Sequence, residues 1–278
     1  MPLAVSRSER SVVRRFGWPL ASAMLVAQLA LAGCTTGSGV DRGTTGSVGK
    51  PLTAADFQQA VSYWSARYAK DPANKQNAIN YAAALRRVGN TDQAVAVLQK
   101  AAIRYSTDRE VLAAYGKALA SNGQFEQALD AVRRAQTPDQ PDWRLLSAEG
   151  AILDQLGHPN DARALYQKAL AIKPNDPTVL SNLGISYVLT SQLPDAEKVL
   201  RVAVAQPGAD SRIRQNLALV VGLQGRFAEA QQIARTEISP QQADENVAYL
   251  QAMLARQKQI AQPTRTTAQP MPPVQSAG

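Results

Sequence analysis

Few residues in this 278-residue chain carry a reactive group, and they are scattered. There is one cysteine, Cys34, and one histidine, His158. A single thiol rules out an intrachain disulfide and any cysteine-based metal cage. His158 lies in Gly157-His158-Pro159-Asn160-Asp161-Ala162, a turn-like stretch where a lone imidazole is usually a solvated loop residue rather than a base or a ligand. No Ser-His-Asp set, zinc spacing or glycine-rich phosphate loop occurs along the chain. The expectation is therefore a protein without catalytic residues, metal, cofactor or small-molecule substrate.

The formal charge of +8 invites a nucleic-acid reading. Part of it belongs to the first 33 residues, which carry Arg7, Arg10, Arg14 and Arg15 against Glu9 and leave 26 basic and 21 acidic residues elsewhere. The rest is dispersed, with no basic run interleaved with aromatics, so no nucleic-acid partner is expected.

Cys34 gains meaning from what precedes it. After the arginines an apolar run extends from Trp18 to Ala32. At about 15 residues it is shorter than the roughly 20 that span a bilayer. A basic start, a short apolar segment and small residues before a break describe a secretory signal peptide over 1–33. The break, Leu31-Ala32-Gly33-Cys34, resembles the bacterial lipobox. That resemblance implies cleavage between Gly33 and Cys34, lipidation of Cys34, and membrane attachment through the acyl chains. Thr35, where some lipoproteins carry an inner-membrane-retaining aspartate, implies by the same resemblance an outer-membrane location in a bacterial envelope. Residues 34–52 are then a Gly/Ser/Thr tether, which as a coil spans roughly 23 Å.

The positioning elements follow from a repeat. The closing alanines of five similar turns, Ala94, Ala128, Ala162, Ala196 and Ala230, are each 34 residues apart. That period indicates stacked helix-turn-helix units. Units are expected at 75–108, 109–142, 143–176, 177–210 and 211–244. A cap helix precedes them at 53–70, another follows at 245–260, and a Pro-rich tail closes the chain at 261–278. The eighth position of each unit is small (Ala82, Gly116, Gly150, Gly184, Ala218) and the eleventh larger, an alternation that lets two helices approach closely. Glycine past the first helix suits a left-handed turn, and an acid in the next helix's first turn meets the positive end of its dipole.

These positions resemble the tetratricopeptide repeat (TPR): small at eight, large at eleven, alanine at twenty, bulky at twenty-four, alanine at twenty-seven. The sequence departs from it where Ala78, Leu112, Leu146, Leu180 and Arg214 replace the family's tryptophan, and where Glu237 replaces the alanine of the last unit. The resemblance implies an all-α superhelical solenoid whose concave face captures a protein partner. It also implies that positions 2, 5, 9 and 12 line that face. Arg86, Lys117 and Arg144 would make one end basic, while Ser181, Ile185, Val188 and Leu219 would make the other largely apolar. That apolar strip is either a binding surface or the seat of the C-terminal cap. The chaperone-tail clamp of the family is absent, since Ile79, Ala83 and Ala114 occupy its positions. The lipobox, the tether and segments such as 164–177 also resemble the TadD lipoproteins of the tight-adherence (Flp) pilus system and the related type IV pilotins. This implies a pilotin-like scaffold that binds a secretin or another assembly component. An adaptor for envelope hydrolases or cell-division machinery would share the same architecture.

Overall fold

In a computed structural model, residues 53–137, 139 and 141–261 are described; the expected signal peptide with Gly33, Cys34, the tether, and the Pro-rich tail beyond Ala261 lie outside them. The described residues form twelve α-helices and no strand. They are α1 (Ala54–Lys70), α2 (Lys75–Arg87), α3 (Thr91–Arg104), α4 (Arg109–Ser121), α5 (Phe125–Ala135), α6 (Trp143–Gln155), α7 (Pro159–Ile172), α8 (Pro177–Leu189), α9 (Leu193–Val204), α10 (Ser211–Leu223), α11 (Phe227–Arg235) and α12 (Pro240–Ala261). The first helices of the five units begin at 75, 109, 143, 177 and 211, and the second at 91, 125, 159, 193 and 227. The sequence period is thus a structural period.

Each first helix starts in the same way. Asn74, Asp108, Asp142, Asp176 and Asp210, again 34 apart, are its N-caps, and each side chain accepts one or two of the first backbone N–H groups. Those donors have no partner within the helix, so each cap is worth about 1 kcal/mol. Each first helix also ends in the same way. The N–H at residues 90, 124, 158, 192 and 226 donates back to the carbonyls of Leu85, Leu119, Leu153, Tyr187 and Val221. This closure requires a left-handed residue just before the donor. Gly89, Gly123, Gly157 and Gly225 supply it with φ of 77–83°, whereas in the fourth unit Ser191 is held at φ 60°.

The two helices of a unit pack where the first carries no side chain. A Cβ on Gly116 would stand 2.6 Å from Val132 Cγ2, one on Gly150 2.8 Å from Tyr166 Cε1, and one on Gly184 2.6 Å from Leu200 Cγ. Ala82, Ala94, Ala128, Ala162, Ala196 and Ala230 are all buried along the same seams. Ala218, the eighth residue of the last unit, is buried against Ala234 and Ala243. Each unit rests on the next through contacts between neighbouring first helices and between the second helix of one and the first of its successor. The core is therefore a string of small clusters along the rod rather than one centre.

The N-terminal end has the helix expected over 53–70, whereas the C-terminal end differs from the sequence reading in register. At the N-terminal end α1 buries no residue fully; Val61, Trp64 and Tyr68 cover the first unit. At the C-terminal end, the second helix of the last unit stops after nine residues, at Arg235. Glu237, which stands where the repeat pattern expects alanine, is just past it and is ion-paired with Arg214 across the unit. A carboxylate at that position must reach a cation rather than pack into the seam. The closing helix then starts at Pro240, so the expected boundary at 244/245 falls inside α12.

Candidate functional site

The first helices α2, α4, α6, α8 and α10 lie side by side and present one face that their own second helices do not cover. Short polar side chains link this face from unit to unit. Arg86 Nε donates to Ser121 Oγ at 3.0 Å, Asn182 Nδ2 to Ser147 Oγ at 3.1 Å, and Asn216 Nδ2 to Ser181 Oγ at 3.0 Å. Asn182 and Asn216 are 34 residues apart, as are Ser147 and Ser181, a recurrence that the small-and-large pattern does not reveal.

The residues expected on the concave wall divide into two sets. Arg86 and Lys117 are half-buried, and Arg144 is exposed with its guanidinium 4.5 Å above the Trp143 ring. At the other end Ser181 is fully buried, Ile185 and Val188 are 4% and 8% exposed, and Leu219 is half-buried. The apolar strip expected there is therefore closed at Ile185 and Val188. Both join the cluster that includes Leu217 and Val220, against which Val247 of α12 packs. A Cβ on Gly222, at another wall position, would meet Leu250 Cδ2 at 2.5 Å. At this end the wall is met by the closing helix through Leu250 at Gly222 and through Val247 at the cluster.

The wall's open polar centre lies between the third and fourth units. Asp154, at the twelfth position of its unit, accepts a hydrogen bond from Ser186 Oγ at 2.8 Å and from Tyr166 Oη at 2.9 Å. It joins Ala151, Gln155, Tyr166, Asn182, Ile185 and Leu189 around a cavity of about 10 Å³. Burial pushes its carboxyl up to about 6, and the two hydroxyls and the more distant Arg163 only partly oppose that shift. Sequence reasoning misses Asp154, because a single acid at the end of an amphipathic helix usually faces water.

Other charges are consumed by the scaffold. Glu149, mostly buried, pairs with Arg133 at 2.7 Å, and Lys75 bridges to the cap Asp108 at 2.7 Å. Between the fourth and fifth units Glu197 pairs with Arg226 and Arg201, and Glu229 with both arginines. The Arg226 contact, first among its hydrogen bonds, holds the Glu197 carboxyl down at about 2. His158 is exposed at its turn. Among the described residues no group of His, Cys, Asp or Glu is arranged to hold a metal ion, and no helix is long and apolar enough to cross a membrane.

A rod of paired helices with a period of 34, small residues in the seams and a wall of first helices is a TPR solenoid. Models of the tetratricopeptide repeat match residues 79–143, 155–220 and 213–236, together more than half of the chain, and the chain belongs to that family. Among solved structures, the Cut9–Hcn1 hetero-tetramer of the APC/C matches 86% of this chain with 43% of its own, at 16% identity and a TM-score of 0.59. A thermophilic TPR protein of Thermus thermophilus covers 64% of this chain over 100% of its own, at 20% identity and a TM-score of 0.57. A TPR protein from Parabacteroides merdae covers 74% over 81% of its own, at 17% and 0.55. At such identities the likeness is one of fold. No curated protein matches the chain. Proteins of this fold serve as protein-interaction scaffolds, generally without catalytic activity of their own.

Proposed function

We propose that this protein is a lipid-anchored scaffold of a bacterial outer membrane, serving assembly of a tight-adherence (Flp) type pilus secretion system. In this reading it holds a secretin or another assembly component in its concave groove, as a pilotin does. The observation that carries the groove is the wall itself: Arg144, Asp154 and Asn182 present polar groups between stacked units. The lipobox resemblance at Gly33-Cys34 and the tether behind it support the location, since two or more acyl chains anchor stably where one does not.

Two measurements test the parts separately. Cys34→Ser is expected to leave the helical circular dichroism unchanged and move the protein from the membrane to the soluble fraction. Continued membrane association would refute the lipid anchor. Cross-linking from a photoreactive residue at position 144 is expected to recover the secretin of the same system. Recovery of envelope hydrolases or division proteins instead would refute the pilus reading in favour of the adaptor one.

A further inference from the structure

We infer that the cavity between the third and fourth units is an anchor for one primary ammonium group, the lysine side chain of a segment lying in the concave groove. This rests on the groove reading proposed above and adds what the captured segment must carry. Three features lead to it. The first is size. An open volume of about 10 Å³ admits one water-sized group, hence an ammonium but not a guanidinium or an aromatic ring. The second is polarity. A carboxylate offers about four acceptor sites, and Asp154 spends two on the hydroxyls of Ser186 and Tyr166. Asn182 commits its amide nitrogen to Ser147, leaving its oxygen to accept. The third is the wall: Ala151, Ile185 and Leu189 are apolar, suited to the methylene stem that a lysine lays against such surfaces.

The charged and titratable groups facing Asp154 come from one neighbouring helix. From α7 come Tyr166 and Arg163; α8 presents Ser186, Asn182 and Ile185, none of which titrates. Arg163 does not fill the site, because its guanidinium is engaged by Asn160 Oδ1 at 2.7 Å and Thr190 Oγ1 at 3.1 Å, and it is the least of the influences on the carboxyl. A buried carboxyl titrating near 6 is held back from ionising by its surroundings, and an ammonium docked against it supplies the missing counter-charge. Binding that requires the ionised form weakens as the pH falls below that value.

The test uses the full chain and three acetylated, amidated heptapeptides, alanine and glycine throughout except for a central lysine, arginine or norleucine. Binding is read by anisotropy, and its place by the NMR shift of the Asn182 side-chain amide. The lysine peptide is expected to bind about tenfold more tightly than the other two at pH 7.5, the scale of one charge-assisted hydrogen bond. The margin should shrink at pH 5 and vanish in Asp154→Asn. Ala151→Leu, which fills the cavity without touching the carboxyl, should abolish the lysine preference as well and guards against a folding defect in the first variant. Equal binding of all three peptides, with groove shifts present, would overturn the anchor while leaving the groove. A lysine preference that survives both substitutions would also overturn it. No shift at Asn182 or Arg144 with any peptide would bring down the anchor and the groove together.

Discussion

Gly150→Ala tests the packing argument by the sign of its effect. Gly150 is in the middle of α6, where exchanging glycine for alanine in an otherwise indifferent helix stabilises by about 1 kcal/mol. Here the added methyl would stand 2.8 Å from Tyr166 Cε1, 3.0 Å from Cζ and 3.1 Å from the Ala162 carbonyl oxygen. None of the three can yield cheaply. Tyr166 is 1% exposed with its hydroxyl tied to Asp154, and the Ala162 carbonyl belongs to the backbone of α7. Overpacking costs about 1–3 kcal/mol, and three unyielding contacts put this site in the upper part of that range, at about 2–3 kcal/mol; after the gain of about 1 kcal/mol from propensity, a net loss of about 1–2 kcal/mol is expected. In a domain of this size that lowers the melting temperature by roughly 2–8 °C. Thermal and urea unfolding followed by circular dichroism would measure it. Adding Tyr166→Leu should return part of the loss, giving the two sites a favourable coupling in a double-mutant cycle. If Gly150→Ala melts at or above the parent temperature, close approach is not what keeps glycine there.

Three further outcomes can be checked on the same preparations. Ser191→Gly relieves a non-glycine residue at φ 60° and should stabilise by about 1 kcal/mol, whereas Gly157→Ala, at φ 82°, should destabilise by a similar amount. Asp154 binds a proton in the fold up to about pH 6 but near 3.8 when unfolded, so its contribution to stability should decline as pH rises from 4 to 6. That shift amounts to about 3 kcal/mol in total, and Asp154→Asn should flatten this limb of the stability–pH curve. Glu197 runs the other way: its carboxyl, held at about 2 chiefly by Arg226, contributes stability above pH 4.5 that is lost as pH falls toward 2, so Glu197→Gln should make acid unfolding less steep in that window.

The sequence by itself determined the modular part of this protein. A 34-residue period, small residues at the eighth and twentieth positions and glycine past four of the five first helices dictate local geometry, and local geometry repeated is a solenoid. The Asx caps at 74, 108, 142, 176 and 210 share that period and act within three residues along the chain, a local signal that the small-and-large pattern passes over. What only the tertiary structure decided concerns residues whose environment is made by other units. Ile185, Val188 and Leu219 read equally as a binding strip or as the seat of a cap; in the fold Ile185 and Val188 are buried in a cluster with residues of the next unit, and Leu219 is half-buried. Glu237 became an interhelical partner of Arg214, and Asp154 an acid enclosed by hydroxyls from two later helices. The physical reason is one of range: caps and turns are set by neighbours in sequence, whereas burial and the ionisation of a buried carboxyl depend on side chains 12 to 32 positions away.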